Sequence, residues 1–158
     1  MTQGSRVLLA IRVNATPARA FAAFTEEIGQ WWRPNALFQF MRGRNGVLSF
    51  VPGSNGRLIE TYEDGTVFVI GAVRVWAPPH RLVVAWRQES FAPDQSTELH
   101  VRFEEADEQT RVTVEHFGWD TIPQRHAARH GFPLATFQLR FAEWWQALLR
   151  NLRDRASS

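Results

Sequence analysis

Six short runs between residues 46 and 117 constrain this chain more than any other feature: GVLSFV, GRLIETY, TVFVIGAVRVW, RLVVAW, TELHVRFEE and TRVTVEHF. Each is rich in β-branched and aromatic residues and bounded by turn residues, as strands are. Pro52 to Gly56, Glu63-Asp64-Gly65, Ala77-Pro78-Pro79-His80 and Ala106 to Gln109 supply the turns, and Asp64-Gly65 is a hairpin signal. Six consecutive strands with short turns predict an antiparallel meander. The run from 97 to 105 alternates cleanly, with Leu99, Val101 and Phe103 inward and His100, Arg102 and Glu104 outward.

The flanks are different. VLLAIRV (7–13) reads as a further strand and ends at Asn14-Ala15-Thr16-Pro17. Thr16 suits a helix N-cap and Pro17 the first helical position. Phe21, Phe24 and Ile28 then recur at helical spacing before Gly29, which predicts a helix from 17 to about 28. After Pro133, the positions Leu134, Phe137, Phe141, Trp144, Leu148 and Leu152 step by three and four, and Trp145 and Leu149 widen the stripe. This predicts an amphipathic helix of about 20 residues, roughly 30 Å long. At 158 residues the chain is expected to form a single domain spanning 1–158. The expected class is α+β: a curved antiparallel sheet and a long C-terminal helix must bury their apolar faces against each other. One helix cannot fill a strongly curved sheet, so a cavity between them is expected.

Composition narrows the function. Seven Trp and twelve Phe imply an unusually aromatic core or a ring-lined pocket. All eighteen basic residues are Arg, but acidic residues are interspersed and the net charge is only +2, so no basic stripe for nucleic acid forms. Without cysteine, disulfides, thiolate metal sites and Cys nucleophiles are excluded. No run approaches the roughly 18 apolar residues of a membrane span, and the start lacks a secretory pattern. A cytoplasmic protein is expected, with no cofactor and no stable membrane insertion; a homodimer is allowed. The spacing His126-x3-His130 resembles a zinc pair, but Arg125 and Arg129 oppose a dication and no carboxylate follows at the protease spacing. It reads as a basic surface turn covering a pocket mouth, and no metal is expected.

One residue breaks the strand pattern. In VTVEHFGWD (112–120), Val112 and Val114 point inward, and the next inward position is His116. A catalytic base, a ligand-orienting group and a satisfied structural histidine all fit. A buried imidazole prefers neutrality and needs a hydrogen-bond partner. Glu60, alternating with Leu58 and Tyr62 in RLIETY, is the natural candidate; an exposed carboxylate opposite Arg57 or Arg74 is the plainer alternative. Phe137 and Phe141 precede Trp145 on the helix stripe, and with Trp86, Tyr62, Phe38 and Phe40 they are the expected cavity lining. The segment 34–46, PNALFQFMRGRNG, mixes rings with Gly and Arg and suits a lid.

Taken together, ATPARAF with Trp31-Trp32, then Gly56, Glu60, Asp64-Gly65 and Gly71, VWAPPHRLVVAW, RVTVEHFGW and the helix with Trp145, Leu149 and Leu152 carry a resemblance over nearly the whole chain. It resembles the START/birch-pollen-allergen-like (SRPBCC) superfamily, and within it the family named after the C-terminal domain of the activator of the heat-shock-protein-90 ATPase. That implies a helix-grip fold whose hydrophobic cavity takes a mostly apolar small molecule, a lipid or aromatic metabolite. Two alternatives stay open: an enzyme on the same scaffold (cyclase, dehydratase or hydrolase) with His116 as acid-base, and a co-chaperone-like interaction module tied to stress response. Eukaryotic co-chaperones of this type carry a further domain with a Trp-rich motif, which Trp31-Trp32-Arg33-Pro34 does not match. A binding protein is therefore expected ahead of an enzyme or an ATPase regulator.

Overall fold

The computed structural model describes residues 6–157. Its elements run β1 (Arg6–Val13), α1 (Pro17–Glu26), α2 (Ile28–Trp31), β2 (Val47–Val51), β3 (Arg57–Thr61), β4 (Val67–Ala77), β5 (Arg81–Trp86), β6 (Thr97–Ala106), β7 (Gln109–Phe117) and α3 (Leu134–Ala156). The strands form one sheet in the order β1-β7-β6-β5-β4-β3-β2, antiparallel at every pairing. The meander expected from the six runs is present, and β1 joins it at the β7 edge. This is the α+β helix-grip arrangement, a curved sheet closed by the long final helix.

Local chemistry explains the curvature and the caps. Register shifts at Leu58/Ile59 and between Val73 and Val75 are bulges, which bend a sheet and raise its twist. Gly71, the partner of Leu58 at the first of them, lies where a Cβ would be 1.6 Å from the Ala85 carbonyl oxygen; only glycine permits that approach. The Thr16 hydroxyl accepts from the Arg19 N–H at 3.1 Å, capping α1 as its sequence position indicates. The helix expected over 17–28 is in fact two. Glu27, at φ −114° and ψ 20°, interrupts it, and α2 turns Trp31 back so that its indole N–H donates to the Ala23 carbonyl at 2.9 Å. The core lies between the inner sheet face and α3, whose Phe137, Phe141, Trp145, Leu148, Leu149 and Leu152 are buried.

Candidate functional site

His116 occupies the place its parity predicts. Val112, Val114 and His116 share the inner face of β7 and are all fully buried. The imidazole stands 5.2 Å from the Trp86 ring and 5.0 Å from Phe141, centroid to centroid. Beyond Phe117 the chain reverses at Gly118, whose φ of +102° lies in the left-handed region that favours glycine. That reversal lays Trp119 over the imidazole at 5.3 Å.

The imidazole's tautomer follows from its one hydrogen bond. The Thr97 hydroxyl donates to the Trp86 carbonyl at 3.0 Å, so toward His116 it acts as acceptor. The His116 Nε2–H then donates to Thr97 Oγ1 at 2.7 Å, which leaves Nδ1 as a bare acceptor. Nδ1 is buried and has no partner among the described residues. Burial, with a smaller contribution from nearby His100, pushes the imidazole pKa down to about 3. At neutral pH the ring is uncharged and is a weak base. It is better fitted to accept a hydrogen bond than to abstract a proton, since general bases work best with a pKa near the working pH.

Seven of the nine expected lining residues come together here. Phe141 meets His116, Phe38 at 5.1 Å and Phe137 at 6.0 Å; Trp86 meets Phe40 at 5.0 Å and Trp145 at 6.3 Å. Trp119 belongs to the same cluster, packed on Phe137 at 4.7 Å. The indole N–H groups of Trp119 and Trp145 are buried and, like His116 Nδ1, unpartnered among the described residues. Glu60 and Tyr62 stand apart. The Tyr62 hydroxyl donates to one oxygen of Glu60, and the Gly46 N–H donates to the other at 3.0 Å. Arg44 lies over the Tyr62 ring, 4.3 Å from its centroid. Burial and the adjacent carboxylate both raise the Tyr62 pKa. The expected partnership of Glu60 with His116 is thus corrected to Thr97 for the histidine and Tyr62 for the carboxylate. Nor is Glu60 an exposed residue opposite an arginine, because it is buried.

Among the described residues, two sizeable pockets open elsewhere. One of about 720 Å³ lies between the 36–43 part of the expected lid, Gln88-Glu89-Ser90, and Ala127 with His130. Phe40 is the one residue of the nine that reaches it. The other, about 430 Å³, lies between α1 and the β2 and β4 ends. The cavity expected between sheet and helix is thus corrected: the interior around His116 is occupied by the rings named above, which pack on one another because the large aromatic side chains of β5, β7 and α3 fill the curve of the sheet. The segment 34–46 has no regular element and is tied down by the His130 Nε2–H donating to the Leu37 carbonyl.

The two-histidine turn also needs correction. His126 and His130 do not share a helical face; they flank the short 3-10 turn Ala127–Arg129. The His126 Nδ1 accepts from the Ala128 N–H at 3.1 Å, and its Nε2–H donates to the Ser90 carbonyl at 3.1 Å. Arg129, expected at the surface, is buried. Its guanidinium donates to the carbonyls of Ile122 and Phe132, both at 2.7 Å, and desolvation lowers its pKa. These charged hydrogen bonds tie the 118–133 segment to itself, and the guanidinium also lies over the Phe137 ring of α3, 5.5 Å from its centroid. Arg129→Met keeps the apolar stem and removes both bonds, so it should cost about 2 kcal/mol in urea unfolding. Unchanged stability would show the two carbonyls are satisfied without it.

With this fold and interior, the chain belongs to the family of activator of Hsp90 ATPase homolog 1-like proteins, whose model matches residues 14–156. No curated protein is significantly similar in sequence. Among solved structures, the Aha1 dimer from Colwellia psychrerythraea aligns with 16% identity and a TM-score of 0.66, over 97% of this chain and 96% of that one. The self-sacrificing resistance protein CalC from Micromonospora echinospora is 27% identical, with a TM-score of 0.61, over 97% and 94%. The anthrahydroquino-γ-pyrone synthase Txn09 is also 27% identical, with a TM-score of 0.56, over 98% and 99%. Family and neighbours together support a ligand-binding scaffold. No helix among the described residues is long and apolar enough to cross a membrane.

Proposed function

We propose that this protein binds a mostly apolar, ring-bearing small molecule between sheet and helix, entering under the 34–46 segment through the 720 Å³ pocket. The observation that carries this reading is the unpaired, neutral Nδ1 of His116, with the unpaired indole N–H groups of Trp119 and Trp145 in the same cluster. Each buried polar group left without a partner costs about 1–3 kcal/mol. A ligand hydroxyl donating to Nδ1, or a ligand carbonyl accepting from an indole, recovers that cost. From the pocket floor the path inward is two rings long: Phe40 packs on Trp86, and Trp86 on His116. Those two rings shift to admit the ligand. Likeness to a 27%-identical synthase of an anthrahydroquino-γ-pyrone supports a fused aromatic ligand over a simple lipid.

Hydroxyanthraquinones and their methyl ethers, titrated against tryptophan fluorescence and melting temperature, test the reading. The parent protein should show saturable quenching and a raised melting temperature, with the hydroxylated compounds preferred. His116→Leu keeps the apolar volume and removes the acceptor, so it should erase that preference by roughly tenfold, the worth of one buried hydrogen bond. If no compound moves either signal, or His116→Leu binds both series as the parent does, the reading fails. The same synthase supports a second reading, catalysis at His116. Turnover of a polyketide-like substrate that is lost in His116→Gln would establish it, whereas the imidazole's low basicity favours binding alone.

A further inference from the structure

The smaller pocket is separate from the interior site. Its wall on α1 is a single helix face, Ala18, Phe21, Ala22, Thr25 and Glu26, at the spacings of three and four that align side chains on a helix. Ala18 and Ala22 are small, and they leave open the space that larger side chains would fill. Opposite them stand Phe50 on β2 and Trp76 on β4. Trp76 meets Phe21 edge-on at 5.3 Å and 85°, and meets Phe50 at 6.1 Å and 57°. Three rings in three different planes therefore face one volume of about 430 Å³.

The polar groups on this wall differ in what they have left to offer. The Thr25 hydroxyl is spent on the Phe21 carbonyl at 2.8 Å. Glu26 makes no hydrogen bond or ion pair among the described residues. It is also the one ionisable residue lining the pocket. The neighbouring Glu27 is fully engaged, taking Arg19 at 3.1 Å through one guanidinium nitrogen and Arg155 at 2.6 Å. Glu26 is exposed and feels Arg19 only through its longer-range field, without a direct ion pair; it stands in the last turn of α1, where the helix dipole is already negative and no basic residue stands in that turn. A helix end of that sign favours a cation and disfavours a carboxylate.

We infer that the pocket between α1 and the β2 and β4 ends is an organic-cation site, in which Phe21, Phe50 and Trp76 present ring faces to an alkylammonium group and Glu26 supplies the counter-charge. Aromatic faces attract a cation within about 6 Å of the ring centroid, and desolvation strengthens the attraction. A methylated or otherwise weakly hydrated ammonium suits three rings and one carboxylate better than a neutral apolar molecule, which would leave Glu26 unpaired. This site does not depend on the reading of the His116 interior.

Choline and its neutral carbon isostere, 3,3-dimethylbutan-1-ol, form the test pair, read by the nuclear magnetic resonance shift of the Trp76 indole N–H. A Trp76→Phe variant assigns that signal. Choline should give a saturable shift, and the isostere should bind at least roughly tenfold more weakly. Glu26→Gln, an exposed near-isosteric change that leaves the fold intact, should weaken choline by roughly fivefold while leaving the isostere unchanged. Ala22→Leu should abolish the shift by filling the space. An absent choline shift, equal response to both probes, or unchanged choline binding in Glu26→Gln would each overturn the inference.

Discussion

Phe141→Ala is expected to lower the unfolding free energy by about 3–5 kcal/mol, the range for deleting a fully buried aromatic ring. The ring contacts Phe38, Trp86, His116, Trp119, Phe137 and Trp144, so its loss removes a shared neighbour from both sheet and helix. For a chain of this size the melting temperature should fall by about 10 °C. Urea unfolding followed by circular dichroism and by fluorescence gives the number. A loss below about 1 kcal/mol would mean that the interior is loose around this ring, contrary to the packing described. Because a ligand between sheet and helix would replace part of the deleted ring, binding should also recover more of the melting temperature in this variant than in the parent.

The second large effect is set by pH. His116 is held neutral in the folded state, with its pKa at about 3, whereas an unfolded chain returns it to about 6.5. Above pH 6.5 neither state binds the proton and the histidine leaves stability unaffected. As pH falls below 6.5 the unfolded state gains a proton that the folded state does not, so folding weakens by up to about 1.4 kcal/mol per pH unit. The loss continues until pH passes the folded value, near 3, and amounts to about 3 kcal/mol at pH 4. Carboxylates titrate in the same range, and Glu27, whose pKa is lowered chiefly by its bond to Arg19, adds to the acid loss. The contribution of His116 is therefore the difference between the parent and His116→Gln in denaturant series from pH 8 to pH 4. Parallel curves would show that the imidazole is not desolvated in the folded chain.

Much of this architecture is written in side-chain periodicity. Alternation over 97–105 and the three-four stepping after Pro133 locate β6 and α3, because a strand and an amphipathic helix each repeat their apolar side on a fixed period. His116 is legible for the same reason: it keeps the parity of Val112 and Val114. The pairing of Glu60 with Tyr62 is also within reach of the sequence, since residues two apart on a strand share a face. Thr97 is not, because it meets His116 only through the register that sets Leu99 opposite His116. Nor is the burial of Arg129, whose two acceptors, Ile122 and Phe132, are brought together by an irregular loop with no repeating pattern. Trp119 lies between these cases. Its place over the imidazole depends on the φ of Gly118, and a glycine directly before a ring marks a reversal without fixing its direction. The path of 34–46 and the filling of the interior by rings are likewise products of packing, which local pattern does not encode.

The pairing of β1 with β7 joins the first strand to the last, Arg6 lying opposite Phe117 and Val13 opposite Thr110. During synthesis the opening segment therefore waits, its Val7 and Val13 uncovered, until nearly the whole meander has been made; the final helix, which also rests on it, comes later still. Long-range closure of this kind slows folding and lengthens the time during which sticky surface is accessible.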